Sequence, residues 1–278
     1  GKPSNNTRSG RRANVAMVGV NPSNQKKRDL NTTLNMAVLD DHALEKESKH
    51  IRAFIATKKR FRDEDNKLTV EIFIPKTYEE AISCPDTEHW IKAMDLEMAS
   101  HYKVGTWTYE KATSVPKGKK VVGSTWAFDV KRRADGTIER YKARLCAQGF
   151  SQIFGFDYNV TYSNTVRYST LRTLFSVSAS RNYTLSGADV KTAYLNGYVE
   201  EGITLYMRQA KGYQETDKDG EGLVCKLDRS IYGLKQSGSC WETRLVEHLT
   251  TMGFPRCVVD PCLYKIETNS GTMYMCVY

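Results

Sequence analysis

No stretch of this 278-residue sequence approaches the roughly 20 consecutive apolar residues that cross a bilayer, so no membrane-spanning helix is expected. The first residues, GKPSNNTRSGRR, lack the apolar segment of a secretory signal, and a chain that opens on Gly reads as an internal piece of something longer. Paired cysteine motifs are missing as well. The seven cysteines (Cys84, Cys146, Cys225, Cys240, Cys257, Cys262 and Cys276) are odd in number and include no Cys-x-x-Cys pair. The nearest two, Cys257 and Cys262, have no second Cys or His pair at zinc spacing, which argues against a zinc module. They read as reduced thiols of an intracellular, cytoplasmic protein. There is no Gly-x-Ser-x-Gly elbow, no P-loop and no HExxH helix, and the five histidines are scattered, so no nucleophile or zinc-hydrolase constellation is legible.

Residues 1–75 contain no Trp and no Tyr, yet hold 15 Lys and Arg against 9 Asp and Glu, most of the net charge of +9. Such a segment buries little apolar surface to offset its ordering entropy and is expected to be a basic, mostly disordered linker, with weak helical tendency at 36–49 and 51–59. The overall positive charge suits a polyanionic partner, but a solvated linker accounts for most of it.

From residue 76 the patterning changes. Thr77-Tyr-Glu-Glu80 has the form of a capping box. A helix from about Thr87 places Trp90, Ala93, Met94, Met98 and Tyr102 on one face, a core stripe rather than a ligand site. Asp135-Gly136 is a two-residue hairpin signal. Folding the flanking strands about it pairs Trp126 with Leu145, Phe128 with Ala143 and Val130 with Tyr141 on an apolar face. The other face pairs Lys131 with Arg140, Asp129 with Lys142 and Ala127 with Arg144. Like charges placed opposite one another repel, so this basic face suggests a bound anion such as phosphate, against the plainer reading of a solvated face. Ser169 can cap a helix carrying Leu171, Leu174, Phe175 and Ser178 inward, and a strand follows from Tyr183 to Val190. Further elements are a strand at 203–207, a helix at about 238–252 burying Trp241, Leu245, Leu249 and Met252, and a hairpin of 262–266 with 272–278. Helices and short antiparallel strands without regular βαβ alternation make an α+β fold.

One carboxylate stands out. Asp189 ends a strand, where a side chain of this type either caps the backbone or helps to hold a hard Mg²⁺ ion beside a second carboxylate-bearing hairpin.

Several long motifs in fixed order now converge. They are Trp126-Ala-Phe-Asp-Val-Lys131, Arg140-Tyr-Lys-Ala-Arg-Leu-Cys-Ala-Gln-Gly-Phe150 and Asp189-Val-Lys-Thr-Ala-Tyr-Leu-Asn-Gly197. Leu205-Tyr-Met207, Val224-Cys-Lys-Leu227 and Tyr232-Gly-Leu-Lys-Gln236 followed by Trp241 complete the set. From about residue 75 to 278 the sequence resembles the copia-type retrotransposon reverse transcriptase, an RNA-directed DNA polymerase carried in a polyprotein. The resemblance implies the fingers and part of the palm of a right-hand polymerase over residues 76–278. It implies that Lys131 and Arg144 meet the triphosphate, and that Asp189, with the Val190 carbonyl beside it, is the first Mg²⁺ ligand. Tyr194 would lie under the sugar, and the loop bearing Gln236 would pack on template base and nucleotide. Partners implied are an RNA or DNA primer–template, deoxynucleoside triphosphates, and integrase and RNase H regions of the same polyprotein, within a virus-like particle and away from membranes.

Departures from the family pattern shape a further expectation. Ser163-Asn164 stands where Ser-Pro is usual, Gly238-Ser-Cys where Pro-Arg-Ala is usual, and Ala188 where a bulkier residue precedes the Asp. The family's strand at 273–278 leads into a turn with two further aspartates, and this sequence stops there. One carboxylate does not hold two Mg²⁺ ions, so this chain alone is expected not to polymerise, and its last hairpin is expected to present an open edge. The alternative is a non-catalytic nucleic-acid-binding remnant of a decayed element.

Overall fold

The computed structural model describes residues 72–278 except Gly136 and Ser270, together with the backbone of two earlier strands, β1 (Asn14–Val20) and β2 (Lys58–Lys59). The helices expected at 36–49 and 51–59 lie outside the described residues, apart from the two residues of β2. After β3 (Ile72–Phe73) come α1 (Tyr78–Ser83), α2 (Thr87–Val104), β4 (Trp107–Lys111), β5 (Val121–Val122), β6 (Ser124–Arg132) and β7 (Ile138–Ala147). The second half runs α3 (Tyr168–Ser180), β8 (Tyr183–Asp189), β9 (Leu205–Met207), β10 (Leu223–Leu227), α4 (Ser237–Thr251), β11 (Leu263–Thr268) and β12 (Gly271–Val277). This is the mixed, largely antiparallel arrangement expected of α+β patterning. Among the described residues no helix is long and apolar enough to cross a membrane. All seven cysteines are unpaired, and burial pushes the thiols of Cys146, Cys240 and Cys262 up to about 11.

The Thr77 cap forms: its hydroxyl accepts the Glu80 N–H at 3.2 Å, while the Glu80 carboxylate reaches back to the Lys76 N–H at 2.7 Å, one residue before the usual target. On α2, Trp90, Ala93, Met94 and Met98 are buried as the stripe requires, but Tyr102 is exposed and His101 is buried in its place. The cause is local. His101 Nδ1 lies 3.0 Å from the Thr106 hydroxyl and its ring packs on Trp107, while the buried Nε2 lies 3.6 Å from the Glu97 carboxylate without a hydrogen bond among the described residues.

The β6–β7 hairpin has the register read from the sequence, from Trp126 opposite Leu145 to Lys131 opposite Arg140. Its turn differs. Arg132 pairs with Ile138 after a register shift, and the Asp135 carboxylate accepts from the backbone and hydroxyl of Thr137. The bulge lengthens the connection beyond two residues. Trp90 of α2 sets its ring edge on Phe128 at 5.3 Å and on Tyr141 at 4.7 Å, which seats the apolar face of the hairpin on the helix. Each such fully buried large side chain contributes on the order of 2 kcal/mol.

Two four-stranded sheets flank the hairpin, ordered β4-β10-β9-β5 and β11-β12-β1-β8. In the second, β1 lies between β8 and β12 and is antiparallel to both. Of the last hairpin, β12 is paired on both sides, by β11 and by β1. The hairpin's open edge is β11, the outer strand of the sheet, met there among the described residues only by an isolated bridge between Arg256 and Tyr264. Beneath this sheet α4 buries Trp241, Leu245 and Leu249 with Tyr264 and Met275, while Met252 is exposed. Ser169 does not cap α3. Asp260, from a loop 93 residues away from Arg167, accepts the Arg167 N–H and the Thr170 hydroxyl there. Phe175 of α3 is half exposed, and Leu174 and Ser178 face inward.

Candidate nucleotide site

Alternation in β6 and β7 puts Lys131, Arg140, Lys142 and Arg144 on one face with a single carboxylate, Asp129. Lys131 Nζ lies 2.9 Å from Asp129 Oδ2. Lys142 sits in the middle of the cations. Burial lowers its pKa, and the charges of Arg144, Arg140 and Lys131 lower it further. Arg144 lays its guanidinium over the Tyr232 ring, 5.4 Å from the centroid, and its buried Nε has no hydrogen-bond partner among the described residues. A crowded cationic face with an unused donor is suited to a multiply charged oxyanion.

The far end of β7 is clamped to the Tyr232–Gln236 loop. Ala147 N–H donates to the Tyr232 carbonyl at 2.7 Å. Gly233 has φ +90°, and a Cβ there would lie 2.1 Å from the Ala147 carbonyl oxygen, so both the conformation and the space demand glycine. Tyr232 in turn meets Tyr194 edge-on at 5.1 Å. The contacts Arg144–Tyr232–Tyr194 thus join the basic hairpin to the 3-10 turn Ala193–Asn196, which follows Asp189 after three residues. Thr192 makes that bend with φ +50°, a left-handed conformation that a β-branched residue seldom adopts.

Of the expected site residues, Arg144 and Tyr194 are joined through Tyr232, and Lys131 shares only the basic face of the hairpin with Arg144. Asp189 is exposed at the end of β8, in register with Asn14 of β1, and Val190 is half-buried against the α4 cluster. Gln236 is fully buried. Its Oε1 accepts from Gln152 Nε2 at 3.0 Å, and its Nε2 donates to the Asp157 carbonyl at 2.9 Å. Its amide therefore holds the neighbouring loop and does not point outward. Lys142, placed on the basic face by alternation, and Tyr232, at the start of the Tyr232–Gln236 loop, fix the electrostatics and the joint, although the sequence assigned neither an individual role. Among the described residues no three His, Cys, Asp or Glu side chains gather as a metal site. One carboxylate with waters and substrate phosphates can meet one Mg²⁺ ion but cannot bridge two, so the described residues do not by themselves form a two-metal site.

Two of the sequence departures meet beside Tyr194, in a cavity of about 80 Å³ lined also by Trp241, Glu242 and Arg256. Asn164 donates both its backbone N–H and its side-chain amide to Glu242, which also pairs with Arg256. A proline at 164 has no N–H for this bond. A Cβ on Gly238 would lie 2.8 Å from Ser163 Oγ, so the small residue suits its neighbour.

Residues 105–278 match the family model described as reverse transcriptase (RNA-dependent DNA polymerase). The chain is 37% identical over 190 residues, 68% of its length, to the retrovirus-related Pol polyprotein from transposon TNT 1-94 of Nicotiana tabacum. It is 34% identical over 198 residues, 71% of its length, to that from transposon RE1 of Arabidopsis thaliana. Against the truncated transposon Ty1-A Gag-Pol polyprotein of Saccharomyces cerevisiae it is 32% identical over 180 residues, 62% of its length. These alignments cover 14%, 13% and 14% of the respective relatives, so the chain spans only a small part of each. No solved structure matches. The chain belongs to the reverse transcriptase family found in copia- and Ty1-type retrotransposon Pol polyproteins.

Proposed function

We propose that this chain forms the fingers and part of the palm of an RNA-directed DNA polymerase, and that it holds a primer–template and an incoming deoxynucleoside triphosphate. The observation that carries the reading is the cationic face of β6–β7, with the unpartnered Nε of Arg144, joined through Tyr232 to Tyr194 near Asp189. In this reading Lys131, Lys142 and Arg144 take the triphosphate oxygens. Tyr194 supports the sugar. Gln236 acts as a positioning residue by fixing the loop that carries Tyr232. Asp189 and the Val190 carbonyl would supply metal ligands only alongside further carboxylates, and no catalytic step is assigned to them here. The wider setting is then a polyprotein with integrase and RNase H regions, in a virus-like particle in the cytoplasm.

Because one carboxylate stands alone among the described residues, the chain as it is should bind without extending a primer. The test is a primer–template retention assay with and without the complementary triphosphate. Binding should tighten when the triphosphate is present, and Arg144→Ala should remove that response. Magnesium-dependent extension that is lost in Asp189→Ala would overturn the claim of inactivity while supporting the site. The same missing metal cluster favours a second reading, a binding module without nucleotide chemistry. It predicts retention that no triphosphate alters.

A further inference from the structure

Residues 150–158, between β7 and α3, meet the site described above only through Gln152 and Asp157, which bond Gln236, and their exposed rings have no part in it. Phe150 is 81% exposed, Phe154 67% and Phe156 68%, and Ile153 between them is 52% exposed. Aromatic rings on a mobile loop would fold inward to escape water, but this loop is held. Gly155 N–H donates to the Tyr158 carbonyl at 2.9 Å, and Asp157 N–H to the Ile153 carbonyl at 2.9 Å. The Asp157 carboxylate, itself buried, accepts the Ile153 N–H at 2.8 Å. Beneath them the buried amide of Gln152 is bonded to Gln236 and to the Lys235 N–H. The inward side is thus filled by a polar network, and the apolar rings have only the outer side left.

Lysines flank the rings on both sides. Lys120 Nζ donates to the Ser151 carbonyl at 3.2 Å, and Lys117 and Lys119 stand just before it in the chain. On the other flank Lys235 Nζ donates to the Gln152 carbonyl at 3.0 Å and lies 5.0 Å from the centroid of the Tyr158 ring. Of the carboxylates at the loop, Asp157 is buried, and Glu200 is engaged by Asn159 and Val160 at its far end. Stiffly held aromatic rings between lysines fit a strand that offers unpaired bases to stack and phosphates to neutralise. Charge complementarity favours this occupant over an apolar protein surface, which would offer the ammonium groups no counter-charge.

We propose that Phe150, Phe154 and Phe156 form a stacking platform for single-stranded nucleic acid, with Lys117, Lys119, Lys120 and Lys235 on its phosphates. The inference rests on the polymerase reading only in naming that strand as the unpaired template. Fluorescence anisotropy of the full chain tests it, with a labelled single strand of about 12 nucleotides and a blunt duplex of equal length. Replacing both Phe154 and Phe156 by Ala removes exposed rings and should leave the thermal unfolding midpoint in place. It should weaken single-strand binding by about 10- to 100-fold and duplex binding by less than about twofold. Lys119→Ala with Lys120→Ala should flatten the salt dependence of single-strand binding. An unchanged affinity, an equal loss for the duplex, or no binding by the parent chain would overturn the platform. So would a dimer, seen in sedimentation, that the two Phe substitutions abolish without affecting the oligonucleotide. The Arg144→Ala triphosphate response reads the polymerase site separately, so either idea can fail alone.

Discussion

The β6–β7 hairpin owes its shape to its own register and to α2 beneath it, whereas β8, which ends in Asp189, owes its place to strands from distant parts of the chain. Every cation expected at the triphosphate comes from the hairpin, where partners are close in sequence and alternation decides which way each side chain faces. The carboxylate comes from a strand whose sheet neighbour is β1, well over a hundred residues earlier, with β12 beyond it. One half of the site is locally determined and the other depends on long-range pairing. The link between them is narrow: the Ala147–Tyr232 backbone bond, the Gly233 contact, and the Arg144–Tyr232–Tyr194 stack.

Breaking that link should have the largest effect. Gly233→Ala adds a Cβ against the Ala147 carbonyl and forces a side chain onto φ +90°. It should cost about 3 kcal/mol or more, read as a lowered denaturation midpoint. If the two halves then unfold in separate transitions, the joint is what makes them cooperative. A single transition with unchanged stability would show that the contact does not matter.

The next effect is on the long-range half alone. Asp260 is buried and accepts from Thr170, Arg167 N–H and Cys262 N–H, pinning α3 against the sheet that contains β8. Burial pushes its pKa up, but these bonds outweigh burial, and the net position is below the ordinary carboxylate value. A depressed folded pKa gives stability that is complete above the unfolded value, about 3.9, and is lost as pH falls through the folded one. Asp260→Asn should therefore cost about 1–3 kcal/mol at neutral pH, with the gap from the parent chain closing below about pH 4 in acid-unfolding curves. A gap that persists at low pH would assign the role to shape rather than charge.

On the hairpin side the expected change is in binding rather than stability. Arg144→Ala should weaken triphosphate binding by about 10-fold or more, with the unfolding midpoint shifted little. Loss of the fold instead would mean that the Arg144–Tyr232 contact is structural.

The same contrast explains what was legible beforehand. The hairpin pairs from Trp126–Leu145 to Lys131–Arg140 followed from a period of two and one turn, because nothing remote competes with them. The turn was misread because the bulge at Lys131/Arg132 shifts the register by one, which residue types alone do not reveal. Tyr102 and Ser169 were misplaced for a different reason. His101 found a buried partner in Thr106, and at the start of α3 it is Asp260, from afar, that bonds the Arg167 N–H and the Thr170 hydroxyl, not Ser169. Asp189 was recognisable by its motif, but the β11-β12-β1-β8 order was not, since β1 lies in a stretch whose charge and lack of Trp and Tyr suggested a linker.

The smallest effect should come from the bend between β8 and Tyr194. Two non-glycine residues bracket β8 in the left-handed region, Asn182 at φ +52° before it and Thr192 at φ +50° after it. Asparagine tolerates that conformation, and a β-branched threonine does not. The strain is thus kept on the side of the strand that leads from Asp189 to Tyr194. Thr192→Asn should stabilise the chain by about 0.5–1 kcal/mol, measured by denaturant unfolding, because the backbone angle stays while its cost falls. The triphosphate response should be preserved, since the turn keeps its geometry. If stability rises and the response is lost, the threonine side chain itself has a part in the site. If stability falls, the bend is held by the Thr192 hydroxyl bond to the Lys191 carbonyl more firmly than its backbone angle opposes it.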